Sequence, residues 1–268
     1  MLNRQYIQVD GARLYCRSEG LHDAPVILLH HSLASTSRGW DSIVPKLAEH
    51  YHVVRFDARG HGRSDVPEGP YDLAHLAEDV IRLIDGLEIN RVHYVGLSMG
   101  GMIGQILGID HGDRLRSLTL ASTTSEMPPE AGPMWDERIA HARNSGMEVL
   151  VDDTVKRWFT ADFVAAHDPA ILPIAEMISE TPPEGFAGWG EAIKQLNLTG
   201  RLGEIKVPTL VLVGRDDPGT TVAAAERIHG RIPGSRLQII ENASHQAPVE
   251  QPEVFTAALM DFLSEIST

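Results

Sequence analysis

A short apolar strand runs straight into a serine set between glycines and then into a helix, and few folds can close around such a junction. In Arg91-Val92-His93-Tyr94-Val95-Gly96-Leu97-Ser98-Met99-Gly100-Gly101-Met102-Ile103-Gly104, residues 91–97 have the Val, Tyr and Leu content of a buried strand. From Met99 onward Met102, Ile103, Ile106 and Leu107 recur at helical spacing. Gly96-Leu97-Ser98-Met99-Gly100 is the G-x-S-x-G pattern of a nucleophile elbow, a sharp turn with the serine hydroxyl at its tip. Gly96 and Gly100 lack the β-carbons that would collide across the bend. The helix start leaves unbonded N–H groups, that of Met99 among them, beside any negative charge forming at Ser98. In a chain with 24 glycines the pattern alone can arise by chance. Its meaning depends on what surrounds it.

Strands alternate with helices on both sides of the junction. Residues 5–9 and 12–18 read as a hairpin turning at Asp10-Gly11. The largely apolar runs 25–30 and 51–56 suit strands buried on both faces. Leu73, Leu76, Val80, Leu83, Ile84 and Leu87 trace one face of a helix with Asp72 placed to cap it. Strands are expected again at 115–121, 208–213 and 236–240, with helices at 221–231 and from Pro252 through Phe262. This order predicts an α/β fold with a mostly parallel central sheet flanked by helices. Between 124 and 200 the rhythm changes. Prolines 128, 129, 133, 169, 173, 182 and 183 punctuate helical patterns such as Trp135–Ile139 and Val149–Trp158, and no strand is convincing. The expected organisation is a core of residues 1–123 and 201–268 interrupted by a helical cap or lid over 124–200.

Bulk properties narrow the function. A chain of 268 residues, 43% hydrophobic and 22% charged, can build a sizeable core. A formal charge of −14, from 23 basic and 37 acidic residues, argues against nonspecific binding to nucleic acid. The single cysteine, Cys16, precludes an intrachain disulfide and fits a reducing cytosol. Met1-Leu2-Asn3-Arg4-Gln5 lacks the apolar core of a signal peptide, and no run is long enough to span a bilayer. The expectation is a cytoplasmic protein with a small-molecule substrate and neither nucleic acid nor membrane as partner. Its oligomeric state is not legible.

A serine hydroxyl needs an adjacent base, oriented by a third group, before it is a useful nucleophile. With a nucleophile elbow, the acid and the histidine follow the serine in chain order at the ends of late strands. Gly214-Arg215-Asp216-Asp217-Pro218 follows one such strand and Glu241-Asn242-Ala243-Ser244-His245 the next. Ser98 and His245 are therefore the expected nucleophile and base, with Asp217 or its neighbour Asp216 as the acid, and Glu126 as an acid in a rearranged triad. The loop His30-His31-Ser32-Leu33-Ala34-Ser35-Thr36 is placed to give a second oxyanion donor, so Leu33 and Met99 are the expected backbone N–H pair. Asp57-Ala58-Arg59-Gly60-His61-Gly62-Arg63-Ser64 lacks the G-K-[ST] ending of a phosphate loop and reads as a brace, through Arg59 and Ser64. His30 and His31, even with His50 and His52, offer no helical H-x-x-x-H pattern or nearby carboxylate. No metal and no cofactor are expected.

Taken together, residues 96–100, the loop 57–64, Gly-x-x-Asp-Pro at 214–218 and His245 resemble the α/β-hydrolase superfamily over nearly the whole chain. That superfamily's acid is typically the Asp of Gly-x-x-Asp, which here is Asp217. Residues 96–105, Met134-Trp135-Asp136-Glu137-Arg138-Ile139, Arg157-Trp158-Phe159-Thr160 and Ser32-Leu33 are similar to one branch, the 3-oxoadipate enol-lactonases of bacterial aromatic catabolism. His31, where Asn is usual in that branch, and Gly188-Trp189-Gly190, where smaller residues are usual, depart from it. The resemblance implies hydrolysis of a lactone or carboxylic ester through an acyl-enzyme. It also implies a substrate carboxylate, for which Arg138, Arg143, Lys156, Arg157 and Lys194 are candidates, Arg138 beside Trp135 first. Ser32, Trp135, Arg138 and Trp189 are the expected substrate-binding residues. A general carboxylesterase or perhydrolase, a C–C bond hydrolase of ring-cleavage products and a ligand-binding receptor are the competing readings. Haloalkane dehalogenation calls for Asp where Ser98 stands.

Overall fold

The carboxyl ends of six parallel strands meet along one edge of a single sheet. The computed structural model describes residues 3–266; Met1 and Leu2 and the last two residues of the expected core span lie outside the described residues. The strands are β1 (Asn3–Val9), β2 (Ala12–Gly20), β3 (Val26–His30), β4 (His52–Phe56), β5 (Val92–Leu97), β6 (Leu115–Ala121), β7 (Thr209–Gly214) and β8 (Arg236–Ile240). Their spatial order is β1-β2-β4-β3-β5-β6-β7-β8. β1 and β2 form an antiparallel hairpin, and β2 joins β4 antiparallel. From β4 to β8 every pairing is parallel.

The helices are α1 (Val44–Leu47), α2 (Leu73–Gly86), α3 (Met99–Asp110), α4 (Gly132–Ser145), α5 (Val151–Trp158), α6 (Ala161–Ala165), α7 (Ile171–Glu180), α8 (Pro183–Lys194), α9 (Val222–Arg231), α10 (Ala247–Glu250) and α11 (Pro252–Ser264). The α/β architecture read from the sequence is the one observed. Two apolar layers cover the two faces of the sheet. Leu28, Val54 and Tyr94 pack with α2 and α3 on one face, while Ile27, Leu29, Val53 and Val95 pack with Trp40, α1 and α11 on the other. Such two-sided burial explains why the parallel strands are nearly continuous in apolar residues. Asp72 caps α2 by accepting the N–H groups of Ala74 and His75, both at 3.0 Å.

Between β6 and β7 the chain makes α4 through α8. The pairing Glu126–Asn197 closes the base of this insertion as an isolated bridge. Register places His30 beside Gly96, Leu97 beside Ala121 and Gly214 beside Ile240. The loops carrying Leu33, Ser98, Asp217 and His245 therefore leave the sheet along one edge, where open α/β sheets bind their ligands.

Candidate active site

The chain leaves the fully buried β5 at Ser98 with φ 55° and ψ −110°. A residue bearing a β-carbon adopts such a conformation at a cost of about 1–3 kcal/mol, so its surroundings must hold it there. The Ser98 N–H donates to Ala121 O and the Thr123 hydroxyl donates to Ser98 O, each at 2.8 Å. A β-carbon on Gly96 would lie 2.2 Å from Gly100 O, which accounts for the first glycine. One on Gly100 would lie 2.3 Å from His30 O. The second glycine thus serves less to close the bend than to seat it against the end of β3. Ser98 is half-buried, and among the described residues its hydroxyl makes no protein hydrogen bond.

Asp217 follows β7 and is buried. Its Oδ2 lies 2.8 Å from His245 Nδ1 and accepts the Thr220 hydroxyl at 2.6 Å. Its Oδ1 accepts the N–H groups of Gly219 and Thr220, both at 2.9 Å. Burial pushes this carboxyl up, but the facing His245 and the hydrogen bonds outweigh it and hold it below the usual carboxylate range. An ionised Asp217 takes the hydrogen on Nδ1, which leaves Nε2 of His245 as the basic nitrogen. Asp216 is exposed. Glu126 is engaged elsewhere, accepting from Arg227 at 2.6 Å and from Thr199 at 2.8 Å. Of the three acids considered, Asp217 is the one set against the histidine.

The loop after β3 brings Leu33 to the same edge. Leu33 is buried and, among the described residues, its N–H donates to no protein acceptor. Met99 opens α3, so its N–H belongs to the first helical turn and lacks an intrahelical partner. Ser32 is buried, and its hydroxyl accepts from Gln246 Nε2 at 3.1 Å, which ties this loop to the residue after His245.

The insertion grips the histidine loop. Trp158 stacks on the His245 ring with centroids 5.8 Å apart. The Gln246 N–H donates to Trp158 O at 3.0 Å, and the Ser244 hydroxyl to Arg157 O at 3.2 Å. The buried Glu250 accepts the Ser244 N–H at 2.5 Å through one oxygen. Its other oxygen accepts the N–H and hydroxyl of Thr160, at 2.7 and 2.9 Å. Thr220, Gln246 and Glu250 escaped the sequence reading, which named Trp158 only within a lid segment and gave it no role at the histidine. Only Glu250, an acid beside Ala247-Pro248-Val249, gave a signal there: a carboxylate in an apolar turn asks for partners.

Of the five candidate cations, two are ion-paired and three have no carboxylate partner among the described residues. Arg143 pairs with Glu184 at 2.8 Å, and Lys194 pairs with Asp136 and with Glu191. Lys156 is exposed. Arg157 donates to Asp153 O and to the Thr154 hydroxyl. Arg138 has no carboxylate partner among the described residues; its guanidinium lies over the rings of Trp135 and Phe186, 4.8 and 5.5 Å from their centroids. Trp189 is buried, donating its indole N–H to Arg59 O at 2.8 Å. Arg59 in turn forms a buried ion pair with Asp79 at 2.7 Å, and the Ser64 hydroxyl accepts from Tyr15 N at 2.9 Å, which ties the 57–64 loop to α2 and β2. His30 and His52 stand at opposite ends of their strands. No group of three or more metal-ligating side chains occurs among the described residues, and no helix among them is long and apolar enough to cross a membrane.

A family described as alpha/beta hydrolase matches residues 26–258. The chain is 33% identical over 256 residues to 3-oxoadipate enol-lactonase 1 of Acinetobacter baylyi, covering 96% of this chain and 95% of that one. The solved enol-lactonase of Burkholderia xenovorans LB400 superposes with a TM-score of 0.93 at 36% identity, covering 97% of this chain and all of the other. A thermophilic esterase from Thermogutta terrifontis superposes with a TM-score of 0.92 at 28% identity, covering 99% and 100%.

Proposed function

We propose, from the premise that this chain belongs to the alpha/beta hydrolase family, that it is a serine hydrolase opening an enol-lactone of the 3-oxoadipate type. The observation that carries the reading is the Asp217–His245 pair, 2.8 Å apart, at the same sheet edge as a serine held in a strained turn. His245 Nε2 takes the Ser98 proton while Asp217 holds the ring and stabilises the imidazolium. Ser98 Oγ adds to the lactone carbonyl, and the N–H groups of Leu33 and Met99 meet the oxyanion. The ring C–O bond breaks, its oxygen leaves as an enol that receives the proton from His245, and the enol becomes a ketone. Water, deprotonated by His245, then attacks the acyl-enzyme and releases the acid and Ser98.

Similarity to the two enol-lactonases supports the substrate class. The unpaired Arg138, above Trp135 in the insertion, supports an anionic substrate and gives residues 124–200 the role of a lid over the site. The buried free thiol of Cys16 suits a cytoplasmic setting. Similarity to the esterase favours a second reading, a carboxylesterase of broad scope.

Hydrolysis of 3-oxoadipate enol-lactone and of p-nitrophenyl acetate by the purified protein separates the two. The lactonase reading expects kcat/KM for the lactone to exceed that for the ester about a hundredfold, roughly 2.7 kcal/mol. Cleavage of the ester with the lactone untouched would leave the triad and remove the lactone. Ser98→Ala that still turns over either substrate would remove the serine mechanism.

A further inference from the structure

Two buried histidines that take no part in the proton transfers hold the loop that follows β3, His31 from its first position and His61 from the 57–64 loop. His31 Nε2 accepts the Ala58 N–H at 2.9 Å, and His31 Nδ1 lies 2.7 Å from Ser32 O. His61 Nε2 accepts the Ala34 N–H at 3.1 Å, and His61 Nδ1 lies 3.3 Å from Arg59 O. Each ring faces a backbone donor with one nitrogen and a backbone acceptor with the other. Both must therefore be neutral imidazoles with hydrogen on Nδ1, since a hydrogen on Nε2 would point at another N–H. Burial works in the same direction. It lowers His31 to about 4 and, with His31 alongside, His61 to about 3.

Leu33 lies between the two contacts. The peptide bond is planar, so Ser32 C=O and Leu33 N–H are opposite ends of one rigid unit. A hydrogen bond that fixes the carbonyl also fixes where the N–H points. The next unit, Leu33 C=O with Ala34 N–H, is held by His61 in the same way. Ala34 has φ 57°, a region disfavoured for a residue with a β-carbon, so the loop needs this support. Donation from His31 into the Ser32 carbonyl also polarises the shared peptide unit and makes Leu33 a stronger donor.

We propose that His31 and His61 are positioning residues that clamp the two peptide units flanking Leu33 and so aim its N–H at the developing oxyanion. The inference rests on the reading of Leu33 as an oxyanion donor. Trp189 backs the clamp from the insertion. Its indole N–H donates to the same Arg59 carbonyl that His61 faces, and its ring meets His61 edge-on, centroids 6.1 Å apart.

The amide side chains divide the two functions of each ring. His31→Asn sets an N–H near the place of Nδ1 and keeps the bond to Ser32, whereas His31→Gln sets an oxygen near Nε2 and keeps only the bond to Ala58. His61→Gln likewise keeps an acceptor for Ala34, and His61→Phe keeps none. The readouts are kcat and KM for p-nitrophenyl acetate and Ki for phenylboronic acid, whose tetrahedral adduct on Ser98 presents an oxygen to the same donors. His31→Gln and His61→Phe are expected to lose roughly 10- to 100-fold in kcat, a fraction of what deleting an oxyanion donor costs, with boronate binding weakened in parallel and KM nearly constant. His31→Asn and His61→Gln should recover most of that loss. Should His61→Phe fail to fold, the His31 pair decides alone. Equal kcat and boronate affinity for His31→Asn and His31→Gln, with only the urea midpoint moved, overturns the clamp. A parent protein that a fluorophosphonate does not label at Ser98 removes the serine reading beneath it, so the two failures are distinguishable.

Discussion

Arg138 carries a charge that no carboxylate among the described residues neutralises. Burial, with Arg157 adding repulsion, brings its pKa down to about 9, and aromatic faces replace part of its lost hydration. A carboxylate arriving beside it would form a charge-assisted bond worth about 1.5–3 kcal/mol. Arg138→Gln is therefore expected to lower kcat/KM for the anionic lactone by roughly 10- to 100-fold, with a much smaller loss on p-nitrophenyl acetate. Equal losses on both substrates would take Arg138 out of the carboxylate role. Asp217 makes a different kind of prediction. Asp217→Asn should lower kcat by about 10³- to 10⁴-fold, because the ring is then held in the wrong tautomer. The native carboxyl is held below its ordinary value of 3.8, so its ionised form adds stability at higher pH. That contribution is present above the unfolded value and is lost as pH falls through the lower folded one. Urea midpoints of the parent and Asp217→Asn should differ at pH 7 and draw together as pH falls below 3.8.

At the scale of elements, the segment 157–160 and the turn 244–250 behave as one piece. Glu250 joins them, its two oxygens serving Thr160 on one side and Ser244 on the other. Burial raises its carboxyl, so the hydrogen bonds only partly compensate a costly position. Glu250→Gln sets an amide N–H against one of these donors and should cost about 1–3 kcal/mol of stability. Hydrogen exchange should then quicken at the amides of Thr160, Ser244 and Gln246 before it does in β5. Unchanged exchange at those three would show the link to be idle. Glu250 also marks where sequence reading stops. Strands were legible because burial on both faces makes 26–30, 92–97 and 209–214 mostly apolar, and their limits moved by about one residue where Pro25, Arg91 and Pro208 precede the first paired position. The elbow was legible because only glycine fits where Gly96 and Gly100 meet backbone. Thr220 and Trp158 carry no such mark; each acts through a contact made only when distant segments meet. Which cations keep a counterion was equally hidden, since whether Lys194 reaches Asp136 while Arg138 meets no carboxylate among the described residues depends on where α4 and α8 lie against each other.

Over the whole molecule, the insertion and the sheet share one apolar interior. Trp135, Ile139, Phe186 and Trp189 belong to the same continuous cluster as Leu76, Val80, Ile103 and Leu118. Backbone reinforces the junction: a β-carbon on Gly185 would lie 1.9 Å from Gly60 O, and the Trp189 indole bonds to Arg59 O. Segments that bury a common core lose most of their stability together, so α4 through α8 should not melt ahead of the sheet. The four tryptophans make this measurable. Trp40 packs with Phe255 on the far face of the sheet, whereas Trp135, Trp158 and Trp189 belong to the insertion. A variant keeping only Trp40 and one keeping only Trp158 should each show a fluorescence transition that coincides with its own loss of far-ultraviolet circular dichroism. An earlier fluorescence transition in the Trp158 variant would mean that the insertion opens as a separate unit, and the proposed lid would then move by local unfolding rather than by adjustment of a packed layer.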